Sequence, residues 1–173
     1  MTGQQRRHPD EDWLQAFFFE AMQKGYASSA PRKPFPGLPG SKCITYERER
    51  HELKLADIWF AKPSSDSSHG VTLIWVADSL VWAMHYGGWY NRLAIPFLKR
   101  ALARNYEQSI FEGGRGPTSL EGEDHTLQYL NTVEKKGFVS FRGHDRIIVT
   151  SVATDFVAGE VFGEHHYFGG LML

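Results

Sequence analysis

Residues 71–88 read VTLIWVADSLVWAMHYGG: two runs of β-branched and aromatic residues on either side of Asp78-Ser79, the composition of a tight hairpin. Along it Val71, Leu73 and Trp75 point one way and Thr72, Ile74 and Val76 the other. Beyond the turn Leu80, Trp82, Met84 and Tyr86 alternate with Val81, Ala83 and His85. Both faces are largely apolar. A strand pair of this kind belongs in the middle of a sheet, or presents one face to an enclosed pocket.

Upstream, Leu53, Leu55, Asp57 and Trp59 share one face of a strand, with Lys54, Ala56, Ile58 and Phe60 on the other, so one acid stands in an apolar row. The polar stretch KPSSDSSH, residues 62–69, is the turn that leads into the hairpin. Residues 47–52 mix both charge signs and read as a solvated strand end. Four prolines and two glycines make residues 28–42 an extended connection. A helix precedes it: Asp10 is its cap, Gly25 its left-handed stop, and Trp13, Leu14, Phe17, Phe18, Ala21 and Met22 its apolar face. Residues 1–9 are expected to be flexible.

Downstream, a second helix spans about residues 92–104, with Phe97, Leu98, Ala101 and Leu102 inward. Then comes Gly113-Gly114-Arg115-Gly116-Pro117, a loop but not a phosphate cradle, since no Gly-Lys-Ser/Thr closes it. Strands are expected at 125–133, 138–142, 145–152 and 156–162, with 167–173 adding an edge.

Shifting the chain by eighty positions lays Phe17, Ala21, Met22, Gly25 and Tyr26 on Phe97, Ala101, Leu102, Asn105 and Tyr106, and both helices then enter a Pro/Gly loop. Past the loops, Leu53, Leu55, Asp57 and Trp59 match Leu127, Tyr129, Asn131 and Val133. The fold expected is α+β: two similar repeats, each a helix plus antiparallel strands, forming a curved antiparallel sheet with both helices on one side. Residues 10–173 make one domain, with repeat halves of about 10–90 and 91–173. The groove between the halves is then the natural ligand site, with Asp57 and Asn131 at equivalent places.

The totals narrow the function classes. A chain of 173 residues with formal net charge −1 lacks the basic footprint that a phosphate backbone demands, so direct nucleic-acid binding is not expected. No apolar run approaches a membrane span, no secretory core follows the N-terminus, and the single Cys43 forms no internal bridge. A cytoplasmic protein without membrane contact is the expectation. Aromatic residues make up 14% of the chain, which favours a pocket or an interface beyond core packing.

Asp57 on its apolar face would meet a cationic ligand between Trp59, Trp75 and Trp82, or serve as an acid or base. Tyr86 and Tyr167, with Tyr46, Trp89 and Tyr90, are amphipathic residues near turns that rim a cleft or close a dimer interface. The ligand-binding set is therefore Asp57, Trp59, Trp75, Trp82, Tyr86, Asn131 and Tyr167. His85, His165 and His166, with His125 or Glu164, invite a metal reading, but adjacent histidines on a strand face opposite ways, and neither a metal nor a cofactor is expected. Without a nucleophile elbow, an HExxH pair or a Cys-centred arrangement, binding of a small, partly apolar molecule is favoured over catalysis. The competing classes are an enzyme using Asp57 with a histidine, and a dimerising adaptor.

Asp57 in its strand, Gly70 before the hairpin, Val81-Trp82 with Met84 and Tyr86, Phe141-x-Gly143 and the closing Gly169-Gly170-Leu171 together resemble an uncharacterised bacterial domain family. The likeness covers roughly residues 14–173. Members of that family occur alone or behind helix-turn-helix domains of transcription regulators, so the resemblance implies a domain that senses or binds something, with no defined reaction. The chain departs from the family pattern at Thr72, where an acidic residue usually follows the glycine, at Asp145, the shorter acid in the second copy, and at Phe168, where histidine is common. On this reading a regulatory role runs through a partner, either a second copy or a separate transcription regulator. A second analogy, to duplicated gyrase-inhibitor-like effector domains whose aromatic cleft takes cations onto a carboxylate, rests on architecture alone.

Overall fold

The computed structural model describes residues 9–25, 32–49, 52–123, 125–151 and 157–172. Helix α1 (Pro9–Gly25) precedes strands β1 (Ser41–Arg48), β2 (Leu53–Ala61), β3 (Ser67–Val76) and β4 (Ser79–Tyr90). A short 3-10 turn at Arg92–Ala94 leads into α2 (Ile95–Gln108), followed by β5 (Ser119–Glu121), β6 (Leu127–Lys135), β7 (Ser140–Val149) and β8 (Val161–Leu171). The eight strands form one antiparallel sheet in the order β1-β2-β3-β4-β8-β7-β6-β5, so the fold is α+β. The hairpin that opens the argument is β3–β4, and β4 lies at the centre of the sheet against β8.

Directly opposed residues of an antiparallel sheet share a face. The register therefore puts Asp57, Thr72, Met84, Gly169 and Phe141 on one face in one row, and Trp59, Gly70, Tyr86, Tyr167 and Gly143 on the same face in the next. That face is the core. Phe17, Phe18 and Met22 of α1 and Phe97, Leu98 and Leu102 of α2 bury into one cluster with Leu55, Ile74, Trp82, Met84, Tyr129 and Phe141. Its centre is a group of rings: Trp82 stacks on Phe138 at 5.0 Å and packs against Phe18 at 5.3 Å, while its indole N–H donates to the Phe138 carbonyl at 3.0 Å. A buried indole N–H without an acceptor would cost about 1–3 kcal/mol, so this bond fixes where the ring sits. A smaller cluster of Cys43, Ala56 and Ile58, with Phe35, Val71 and Trp75 against it, occupies the other face.

Several expectations are corrected. Helix α1 already includes Pro9 and Asp10. Gly25 is not a left-handed stop: a Cβ there would lie 2.5 Å from Ile44 Cγ2, so the residue is small because β1 passes against the helix. Asn105 does not stop α2 either. The helix runs on to Gln108, and Ser109 takes the left-handed turn (φ 54°, ψ 38°), because Asn105 is buried and spends its amide on the Arg115 carbonyl at 3.0 Å. The two strands expected on either side of Gly143 are one strand, β7. Gly143 causes no break; it is the bare spot on which the Tyr167 ring lies. The strand expected at residues 156–162 begins at Val161, and residues 152–156 lie outside the described residues. The closing stretch is part of β8, a central strand paired with β4 and β7 rather than an edge. The true far edge is β5, three residues that sequence periodicity passes over. Among the described residues no helix is long and apolar enough to cross a membrane.

Candidate functional site

A cleft of about 880 Å³ opens between the inner face of β2, β3 and β4 and the side of α2. Its walls are apolar and aromatic: Trp59, Tyr86 and Met84 from the sheet, Leu98, Leu102 and Tyr106 from α2. Buried polar side chains line it as well, among them Asp57 (2% exposed), Arg115 (5%) and His165 (4%). A size within the usual range of small-molecule pockets, apolar walls and a few convergent polar groups are the ordinary anatomy of a ligand site.

Asp57 is placed by the alternation of β2. Its Oδ1 accepts from Thr72 Oγ1 at 2.8 Å and from Tyr86 Oη at 2.9 Å, whereas Oδ2 has no hydrogen-bond partner among the described residues. Burial pushes its carboxyl up from the ordinary range, against the opposing pull of those two hydrogen bonds and of the Arg115 and Arg32 charges. Tyr86 reaches Asp57 because Gly70 opposes it on β3; a Cβ on that glycine would fall 2.4 Å from the tyrosine ring.

Arg115 arrives from the loop after α2. That loop is buried, which is unusual for an irregular segment, and its backbone groups are accordingly satisfied by side chains. Asn105 Nδ2 donates to the Arg115 carbonyl, Tyr106 Oη to the Gly114 carbonyl at 3.1 Å, and Asn131 Nδ2 to the Gly116 and Glu112 carbonyls at 2.8 and 3.0 Å. Gly116 N–H donates to Tyr129 Oη at 3.0 Å. The Arg115 guanidinium then donates from Nε to Asp145 Oδ2 at 2.8 Å and lies 5.7 Å from the centre of the Tyr86 ring. Asp145 also accepts the hydroxyls of Tyr90 and Tyr129, both at 2.6 Å. Burial alone would raise Asp145, but the charge and hydrogen bond of Arg115 hold it below the usual carboxylate range. The Nη2 of Arg115 is sealed from water and unpartnered.

His165, on β8, pairs through Nε2 with Ser68 Oγ at 3.0 Å and tilts against Tyr90 at 4.7 Å, while its Nδ1 is buried without a partner. Burial, reinforced by the Arg115 charge, pushes it down to about 3, so the ring is neutral at ordinary pH.

The structure thus brings Asp57, Trp59 and Tyr86 together on the cleft. It separates the other four expected residues from it. Trp75 lies on the opposite face of the sheet against the Cys43 cluster, because it alternates with Ile74 and not with Asp57. Trp82 is fully buried among phenylalanines. Tyr167 donates to Asn131 Oδ1 at 2.6 Å, and both are shut beneath the buried loop. Of the histidines weighed for metal, His165 faces the core, whereas His85 stacks on Phe168 and His166 packs near His144 on the other face. Among the described residues no three His, Cys, Asp or Glu side chains are grouped to hold a metal ion. Sequence reasoning missed Arg115, while Tyr90, one of the tyrosines expected to rim a cleft, does line it. The signal for Arg115 was Asp145, an acid at an inward position that needed a charged partner.

Comparison of the chain with family models, with curated proteins and with solved structures returned no match. What can be said of its function rests on the chain's own residues.

Proposed function

We propose that this protein binds a small, partly apolar molecule in the cleft between its sheet and α2, without catalysing a reaction. The observation that carries this reading is the lining: apolar and aromatic walls around the buried side chains of Asp57, Arg115 and His165, of which Arg115 Nη2 and His165 Nδ1 are buried with no protein partner. Buried polar atoms are almost always paired, and clusters of exceptions mark places where something else supplies the partner.

The reading includes a doubled architecture. Tyr86 over Gly70 with its hydroxyl on Asp57 has a counterpart in Tyr167 over Gly143 with its hydroxyl on Asn131, and Tyr86 and Tyr167 face each other across the β4–β8 pair. Asp57 is opposite Thr72 as Asn131 is opposite Asp145. Two units, each a helix followed by four strands and joined through their last strands, account for these coincidences. The cleft then draws β2–β4 from one unit and α2, Arg115 and His165 from the other. In the second unit the equivalent ground is filled by residues 112–116, so a ligand takes in the first half the place that the loop takes in the second.

The test is the indole N–H spectrum of nitrogen-labelled protein, with each tryptophan signal assigned by single Trp→Phe variants, titrated with a panel of drug-sized aromatic compounds of either charge. Binding in the cleft moves the Trp59 signal and leaves Trp75, on the opposite face, where it is. Compounds that move Trp75 and never Trp59 would overturn the proposal.

A second reading has one observation behind it. Asp57 is pushed up and His165 down while both face the same cleft, and opposed shifts of this kind recur in acid–base pairs. Turnover of a cleft ligand that is lost in both Asp57→Asn and His165→Gln would favour an enzyme over a binder.

A further inference from the structure

The cleft's charges point one way. Among the described residues Arg32, Lys42, Lys62, Arg92 and Lys99 line it, against a single exposed carboxylate, Asp66, which lies 3.7 Å from Arg92. With the two buried groups added, six cations face two acids, in a chain whose formal net charge is −1. A cationic lining over low-dielectric walls concentrates anions and repels cations. At depth, the side chain best suited to a ligand is also cationic: Arg115 uses only Nε on Asp145 and keeps its outer nitrogens free of hydrogen bonds among the described residues. A guanidinium presents paired N–H groups whose spacing matches the two oxygens of a carboxylate.

We propose that the ligand is an amphipathic organic carboxylate, its acid group drawn to the Arg115 guanidinium and its apolar body lying along Trp59, Tyr86, Leu98 and Leu102. This rests on the cleft being a binding site, and it reverses the charge expected from Asp57 alone. Asp57 fits it in one form. A neutral carboxyl at that position donates from its unpaired oxygen to the incoming carboxylate, and burial already favours the neutral form. Lys99, half-buried on α2 with its charge disfavoured by burial and by Arg32, is stabilised when an anion enters.

Three molecules of one shape decide the matter: phenylbutyrate, phenylbutylamine and phenylbutanol, titrated calorimetrically into the full chain at low salt, with the Trp59 signal reporting location. The carboxylate is expected to bind about tenfold or more tighter than the amine and the alcohol. Asp57→Asn, whose amide donates without first having to take up a proton, tightens the carboxylate further, and Lys99→Glu weakens it several-fold. Because Arg115→Met also breaks a buried ion pair, the Lys99 and Asp57 variants carry the test. An amine that binds tightest and is lost in Asp57→Asn, or an alcohol that binds as well as the acid, overturns the carboxylate while leaving the cleft a binding site. Failure of all three to move Trp59 overturns both.

Discussion

Arg115 Nε and Asp145 Oδ2 meet at 2.8 Å where neither side chain has more than a trace of solvent, 6% and 0% exposed. A buried ion pair is a weak net stabiliser but is costly to break from one side, since the survivor is left charged and alone. Arg115→Met is expected to cost roughly 3–5 kcal/mol in urea unfolding. The double variant Arg115→Met/Asp145→Asn is expected to cost clearly less than the sum of the two single changes, because no charge is then stranded. Strict additivity would show that the two residues are not a unit.

The glycines beneath Tyr86 and Tyr167 predict an asymmetry. At Gly70 the atoms nearest an added Cβ all belong to the Tyr86 side chain, which borders the cleft, whereas at Gly143 they include the Thr132 carbonyl at 2.3 Å as well as Tyr167. Gly143→Ala is therefore expected to cost about 2–3 kcal/mol or more, the price of overpacking against backbone, and Gly70→Ala about 1 kcal/mol. Denaturant midpoints measure both. An equal cost at the two sites would mean that the Tyr86 ring is held as firmly as the Tyr167 ring.

These same glycines explain how far the sequence could be read. The alternation of residues 53–60 and 80–86 put Asp57 with Trp59 and Trp82 with Tyr86 on shared faces, as the register has them, whereas grouping Trp75 with them needed the pairing between strands, which puts it on the opposite face. What periodicity could not show is that Gly143 and Gly169 are interior positions of long strands. Glycine reads as punctuation unless the ring or backbone lying against it is known, and the atoms at Gly143 and Gly169 come from elsewhere in the chain: Tyr167 and Thr132 for the first, Ala83 and Phe141 for the second. The same non-locality hid β8, whose partner β4 lies far back in the chain. Arg115 was hidden for a different reason. A Gly-rich stretch is normally surface loop, and this one is buried only because Asn105, Tyr106, Tyr129 and Asn131 each satisfy a backbone group in it.

His165 makes the fold sensitive to mild acid. Its ring is neutral when folded, because burial first and the Arg115 charge second oppose a positive charge there, with Asp145 pulling the other way, and it is pushed down to about 3 from an ordinary 6.5. As pH falls below 6.5 the unfolded chain takes up a proton that the folded chain refuses, so the stability this residue contributes is complete above 6.5 and drains away toward 3. Between about pH 6.5 and 5 the loss amounts to roughly 2 kcal/mol. His165→Gln, which keeps a hydrogen-bonding group near Ser68, is expected to flatten that slope in urea midpoints measured across the interval. An unchanged slope would assign the acid sensitivity to other groups.

Asp57 and Asn131 are each the fifth residue of a nine-residue strand, β2 and β6, but do opposite work, and exchanging their chemistry should have opposite effects. Asp57 is an acid whose value burial has raised, so it contributes stability at low pH that is lost as pH rises from the unfolded value near 3.8 through the folded one. Asp57→Asn keeps an oxygen for Thr72 and Tyr86 and removes the buried charge. The variant is therefore expected to be the more stable protein near neutral pH, with its advantage shrinking as pH falls toward about 4. Asn131 uses both ends of its amide, accepting from Tyr167 and donating to the carbonyls of Glu112 and Gly116. Asn131→Asp would point an oxygen at two carbonyl oxygens in a site with no water to separate them, at a cost of about 3 kcal/mol or more. Urea unfolding at two pH values reads both variants. If Asn131→Asp were tolerated as well as Asp57→Asn, residues 112–116 would not be held by that amide, and the proposal that this loop fills in a second unit the ground the cleft leaves open in the first would fall.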